Sequence, residues 1–409
     1  MTLRLDAVLF AHQRADGTTA ALSIRVNASV DMPVPEWQRG ISALPAQSLA
    51  AYAIRPTRGR PLTLRAAFSS TGDDPATVEV RAISPLAEPA APAWTWWSLY
   101  AAAAEQGLTT TDVLGVVGPA VVQLGPVGAS QYTTLPLSAP QLATTGVGAH
   151  LVAWRWQYRT SAGSPWVDVA ISAHKIYTVL DVPTAPWQQT PDPTNTQLPW
   201  ADVLDYACAW ARGATDVGAA ATMVTRAVND LGPWLLAYDC PGGGITHYTV
   251  PILNYFNCTE LLERLRGGLG NGYYLNCTDC ASVVSTFANA VGCDLWQSTM
   301  GAAGFPYFAT NPFLAIGSSQ WERACGWGAF DYHEVAWTGD CGVDDEVYDA
   351  CLQVDAGSDP LRAPYFGAVP VGVRFGRPGE GLYRDRLAAP SGRVDCAPQP
   401  NTRQRRPVI

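Results

Sequence analysis

Lysine is almost missing from this 409-residue chain: Lys175 is the one lysine among 26 basic residues. Arginine supplies the rest, and with the abundance of alanine this is the bias of a GC-rich bacterial coding sequence. Basic charge is also short overall, with 35 acidic residues giving a formal charge of −9 and a pI of about 5.0. That excludes the basic stripe with which a nucleic-acid binder displaces counterions. The one dense basic cluster is Arg403, Arg405 and Arg406 near the end, which reads as a solvated tail, with a docking tail as the alternative. Long apolar runs are absent too. The stretch 7–11 is too short for the core of a signal peptide, and 113–129 is interrupted by Gly115, Gly118, Pro119, Gln123, Gly125 and Pro126. The expectation is a soluble, cytoplasmic protein with no membrane partner. Cysteine does not occur before Cys208, the first of ten. A secreted two-domain protein would staple both halves, so mostly reduced thiols are expected, and the sequons at Asn27, Asn257 and Asn276 then carry no sugar. Histidine is scarce, with His12, His150, His174, His247 and His333 making up the set.

What is present is material for packed cores. Nearly half the residues (48%) are apolar and there are 15 tryptophans, which at this length implies two domains. Residues 20–180 alternate short runs of Val, Ile, Thr and aromatics with turn residues, as in 76–83 (ATVEVRAI), 149–158 and 166–171. In 149–158 the set Val152, Trp154, Trp156 and Tyr158 is heavier than Leu151, Ala153, Arg155 and Gln157, as a strand with one core face requires. An all-β sandwich, immunoglobulin-like in type, is the expectation for residues 1–180. Nothing there gathers catalytic residue types. Five prolines in 180–200 mark a linker or strap at 181–200, with Trp187 and Trp200 suited to pack it down.

Beyond the strap the apolar period becomes helical, over 200–211 and 216–231, with Gly213 and Gly232 as stops. Asn257 with Glu260 forms a capping box for another helix. The same signal recurs at Asn276-Cys277-Thr278-Asp279-Cys280-Ala281. Asn276 is an N-cap, Asp279 complements the helix dipole, apolar positions run through 280, 284, 287, 288 and 291, and Gly292 is the stop. Cys277 therefore falls in the first helical turn, where unpaired N–H groups favour a thiolate and bind a developing oxyanion. Cys280 lies one turn deeper and faces the core.

His333 lies in a strand pattern (330–337), followed by a turn-like segment (338–345) and a returning strand (346–355). A symmetric hairpin centred on residue 341 sets His333 opposite Asp349, at a separation of about 5 Å where a carboxylate fixes an imidazole's tautomer. Asp355 is the alternative acid if a bulge shifts the register.

The pattern Cys277-x-Asp279-x-Ala281, with Gly292 one helix length later, resembles the core motif of the transglutaminase-like superfamily, whose fold is papain-like. Asn276 departs from it, standing where a glycine commonly precedes the cysteine. The resemblance spans about residues 200–355, and it implies an α+β domain over 201–370; a C-terminal extension and basic tail at 371–409 follow, to which it does not reach. It implies thiol-dependent acyl transfer on a carboxamide or peptide, with Cys277 as nucleophile, His333 as acid–base and Asp349 as orienting group. A protein or peptide is the implied substrate. Asn271 and Tyr273 are candidates for the second oxyanion donor. No cofactor and no metal are implied, and no calcium loop of EF-hand type is present.

Three rival readings use the same residues. Cys277-x-x-Cys280 is a dithiol spacing, but the β-α-β context of a thioredoxin-like fold is not evident. Zinc could be sought at Cys277, Cys280, Cys325 and Cys341, without a second close-spaced pair. A catalytically silent binding or assembly module on the same fold is the third.

Overall fold

The computed structural model describes residues 2–11, 20–42, 44–57, 62–71, 76–84, 109–110, 113–125, 129–138, 142, 146–188, 197–301, 307–322, 324–355 and 367–409. His12 lies outside these residues. The chain divides into two compact units. One is Met1–Val182 with Gln189–Pro191 and Pro199–Thr215; the other is Pro183–Gln188, Asp192–Leu198 and Asp216–Ile409.

The first unit is built from a four-stranded and a six-stranded sheet. The core is filled by apolar side chains of both, among them Leu5 and Phe68 of the smaller sheet and Val80, Trp156 and Ile176 of the larger. Phe68 and Trp156 meet edge to face with ring centres 5.9 Å apart. The hairpin expected after 149–158 is the pairing of Gly148–Arg159 with Val167–Val179. The antiparallel pattern of an immunoglobulin-type sandwich does not hold throughout, because Leu49–Ala53 and Thr109–Thr110 pair in parallel with their neighbours. The expected half-buried character of 149–158 is also corrected. Arg155 and Gln157 are buried as well, since this strand is central and their polar ends reach Asp168, Gln157 at 2.8 Å. The helix Ala201–Trp210 belongs to this unit, whereas sequence pattern had placed residues from 201 in the C-terminal domain. Its Asp205 accepts from Tyr177 Oη at 2.7 Å and pairs with Lys175, two strand residues that give the helix its seat.

The main sheet of the second unit is five-stranded and antiparallel, in the order Val371–Arg374, Glu346–Tyr348, His333–Trp337, Trp296–Met300, Pro398–Gln404. The helix Cys277–Ala290 packs on the central His333–Trp337 strand, and Val217–Asn229 packs on that helix. Every residue of Cys277–Ala290 is buried, and Gly292 ends it at φ 90°. The strap residue Trp187 is buried in this unit and donates its indole N–H to the Thr286 carbonyl at 2.9 Å. The basic tail is not solvated. Pro398–Gln404 is a strand of the sheet, and Arg406 is buried against Glu334. The acid that fixes it lies 72 residues away, beyond the reach of a local charge pattern. Among the described residues no helix is long and apolar enough to cross a membrane.

Candidate active site

The cysteine helix begins at a reciprocal cap. Asn276 Oδ1 accepts from the Asp279 N–H at 3.0 Å, and Asp279 Oδ2 accepts from the Asn276 N–H at 3.2 Å. Asp279 does more than complement the dipole. Its two oxygens also take the N–H groups of His247, Tyr248 and Thr249 at 2.8, 3.1 and 2.7 Å. Asn276 Nδ2 donates to the Gly244 carbonyl at 2.8 Å. One buried carboxylate and its neighbour thus fasten the preceding loop to the helix start. Burial pushes the Asp279 carboxyl up, against the opposing pull of those N–H donors.

That loop forms one wall of a cleft of about 470 Å³ at whose floor Cys277 sits, 4% exposed. Tyr238, Gly244, Trp327, Phe330 and Tyr332 line it as well. Gly244 is favoured by its backbone (φ 72°), and a Cβ there would stand a tight 3.1 Å from Tyr238 Oη. A second cleft of about 440 Å³ shares Tyr332 as a lining residue. Residues with polar side chains line it, among them Thr278, Glu334, Gln399, Thr402 and Arg406.

His333 is fully buried, with Nε2 3.0 Å from Asp349 Oδ2. A carboxylate only accepts, so Nε2 carries a proton and Nδ1 is the nitrogen left for the thiol. Phe330 stacks on the imidazole at 5.5 Å between ring centres. Burial alone would lower the histidine. The charge and hydrogen bond of Asp349, followed by the nearby Cys277 thiol, outweigh it and raise the group to about 10. Among the described residues, Nδ1 has no hydrogen-bond partner of normal geometry.

His333 and Asp349 do meet, though by a different route from the symmetric hairpin. A turn centred on residue 341 would pair Ala336 with Glu346, whereas Ala336 pairs with Tyr348. The turn is centred on Gly342 instead, held by Asp345, whose Oδ2 accepts from the Gly342 N–H at 2.8 Å. The slip is even, so the face of each strand is kept. Asp349 then lies just past the ladder, its N–H bonded to the Pro370 carbonyl at 2.9 Å, and its side chain turns back to His333.

Neither oxyanion candidate faces the cleft. Asn271 Nδ2 donates to the His247 carbonyl at 2.8 Å, and Tyr273 Oη donates to the Pro233 carbonyl at 2.7 Å. Both side chains are spent on holding loops. Tyr238 and Tyr332 stand at the cleft instead, and no motif spacing pointed to them. Tyr332 is pushed up to about 12, first by the Cys277 charge and then by burial. Burial and then Cys277 push Tyr238 well above the ordinary phenol range. Cys280 is buried below the cleft beside Cys351, and burial raises its thiol. The zinc set does not assemble among the described residues, because Cys325 is disulfide-bonded to Cys240 (Cα–Cα 5.4 Å).

A pH dependence follows from His333. Its folded-state value lies above the unfolded one, so its contribution to stability is complete below about 6.5 and is lost as pH rises toward about 10. Urea denaturation at pH 7 and 8 should therefore show stability falling with a slope of up to roughly 1.4 kcal/mol per pH unit. The slope should shrink in His333→Gln, and an equal slope in both proteins would remove the histidine as its source.

Neither a protein-family model nor a curated protein matches the chain. Among solved structures, a red sea bream transglutaminase is similar over 77% of this chain, at 12% identity and a TM-score of 0.34. The match spans about half (51%) of that protein's length.

Proposed function

We propose that the second unit performs thiol-dependent acyl transfer on a carboxamide or peptide. Cys277 attacks the carbonyl, His333 takes the thiol proton at Nδ1 and returns it to the leaving group, and Asp349 orients the ring and balances its charge. The thioacyl enzyme passes to water or to an amine. The observation that carries this reading is the buried His333–Asp349 pair at 3.0 Å, placed beside a cysteine on a capped helix start at the floor of a cleft. The aromatic side chains around Cys277 suit an acyl chain, and the second cleft, which shares Tyr332, leaves room for the acceptor.

The reading is tested by the rate at which iodoacetamide labels Cys277 near neutral pH, with the modified cysteine identified by peptide mass. His333→Ala should slow labelling about 100-fold or more. A slow reaction indifferent to that substitution would instead support a catalytically silent binding module. The near-complete burial of Cys277 is the feature that favours this second reading.

A further inference from the structure

The short helix Tyr383–Leu387 lies outside the stretch that carries the motif, yet it sends a side chain into the site. Tyr383 is fully buried, and its hydroxyl donates to Asp349 Oδ2 at 2.8 Å. That is the oxygen that accepts from His333 Nε2 at 3.0 Å. The other oxygen, Oδ1, accepts the N–H groups of Cys351 and Leu352 at 2.8 and 3.3 Å. Four donors thus share the two oxygens of this carboxylate, and among the described residues the tyrosine is the one donor that competes with the imidazole for an oxygen.

We propose that Tyr383 is a positioning residue for His333, acting through Asp349: its hydroxyl fixes the carboxylate and draws charge from the oxygen that faces the imidazole. The inference rests on the acyl-transfer reading of Cys277, His333 and Asp349. A shared acceptor makes a weaker bond to each donor, so the tyrosine weakens the bond from His333 Nε2–H to Asp349 and with it the stabilisation of the imidazolium. The imidazolium must release its other proton, at Nδ1, to the leaving group, and a carboxylate that stabilised the imidazolium more strongly would hold that proton back.

The helix that bears Tyr383 is held in place. Asp385 accepts the N–H groups of Gly379 and Gly381 at 3.0 and 2.6 Å, and Asn311 Nδ2 donates to the carbonyls of Asp385, Arg386 and Ala388 at 3.0 to 3.1 Å. The tyrosine ring packs against Phe375, with centres 6.1 Å apart. The titratable groups around the pair come from several elements. His333 is faced by Asp349 and Cys277; Tyr383 by Asp349, Cys351 and Cys396. Cys280 also faces Asp349, and Tyr238 and Tyr332 face Cys277. Of these, Tyr383 is the hydroxyl bonded to Asp349.

The experiment uses the full chain with Tyr383→Phe, a change that removes only the hydroxyl. Two pH profiles are compared with wild type: alkylation of Cys277 by iodoacetamide, and the ¹⁵N signals of His333 in histidine-labelled protein, assigned with His333→Ala. The alkaline limb of the first and the titration of the second should both move up by roughly one pH unit. Superimposable profiles overturn the proposal, including the case in which only melting temperature falls, since a purely structural tyrosine would do that. Should Tyr383→Phe fail to fold, 3-fluorotyrosine at position 383 keeps the hydroxyl and makes it a stronger donor. The titration must then move down, and an unmoved one overturns the proposal. The two levels fail separately. If His333→Ala leaves alkylation unchanged the acyl-transfer reading falls, whereas an unmoved profile in Tyr383→Phe alongside a sensitive His333 removes only the role of the tyrosine.

Discussion

Asp349→Asn is expected to lower the rate of acylation of Cys277 by about 10³–10⁴-fold while leaving the fold in place. The shape of the side chain is kept, and the N–H groups of Cys351 and Leu352 can still bond to an amide oxygen at the position of Oδ1. What changes is the group facing His333 Nε2. A carboxylate can only accept there, so the ring proton sits on Nε2 and Nδ1 is free to take the thiol proton. An amide NH₂ in that place donates, forcing the ring proton to Nδ1, where it meets the thiol with no acceptor. The negative charge that balances the imidazolium disappears as well, in a site where His333 is fully buried and water cannot replace it. The measurement is the burst of p-nitrophenol from a p-nitrophenyl ester, with circular dichroism confirming the fold. A burst rate within tenfold of wild type would mean that Asp349 does not set the tautomer.

The second large effect concerns stability and lies one residue along the same strand. Glu334 and Arg406 form a two-pronged ion pair, Nη1 to Oε1 at 2.7 Å and Nη2 to Oε2 at 3.1 Å, with both residues buried. Arg406 Nη1 also donates to Gln297 Oε1 at 2.8 Å. Arg406→Met leaves the Glu334 carboxylate buried without a partner, a loss of about 3–5 kcal/mol. For a unit of this size that lowers its melting transition by roughly 6–20 °C. Adding Glu334→Leu to the same chain should recover much of the loss, because two apolar groups replace the pair without stranding a charge. Calorimetry on the single and double variants decides it. A single variant that melts within 2 °C or so of wild type would mean that water reaches the carboxylate.

The parts of the site legible in the sequence are those governed by short-range rules. The cap at Asn276 and Asp279, the helix that follows and its stop at Gly292 depend on groups within one or two turns of each other, and each lies where the pattern puts it. The hairpin was legible in existence and facing but not in register. The centre of the turn is set by Asp345 gathering the N–H groups of Asp340 and Gly342, and residue spacing does not encode that choice. The oxyanion candidates failed for a related reason. Proximity upstream of the cysteine was the only guide, and Asn271 and Tyr273 turned out to satisfy the carbonyls of His247 and Pro233.

By itself, then, the sequence determined that this chain has a β-rich first half and a capped helix beginning at Cys277, followed by a strand bearing His333 and a turn leading back to Asp349. Apolar period and capping chemistry act locally and do not need the rest of the molecule. The tertiary structure decided what surrounds these residues. It brought Tyr383 from the C-terminal segment to Asp349, buried Arg406 against Glu334, and assigned the helix Ala201–Trp210 to the first unit. The physical reason is the same in each case. A buried polar group must find a partner, and which one it finds depends on segments that meet only when the sheet and helices have packed.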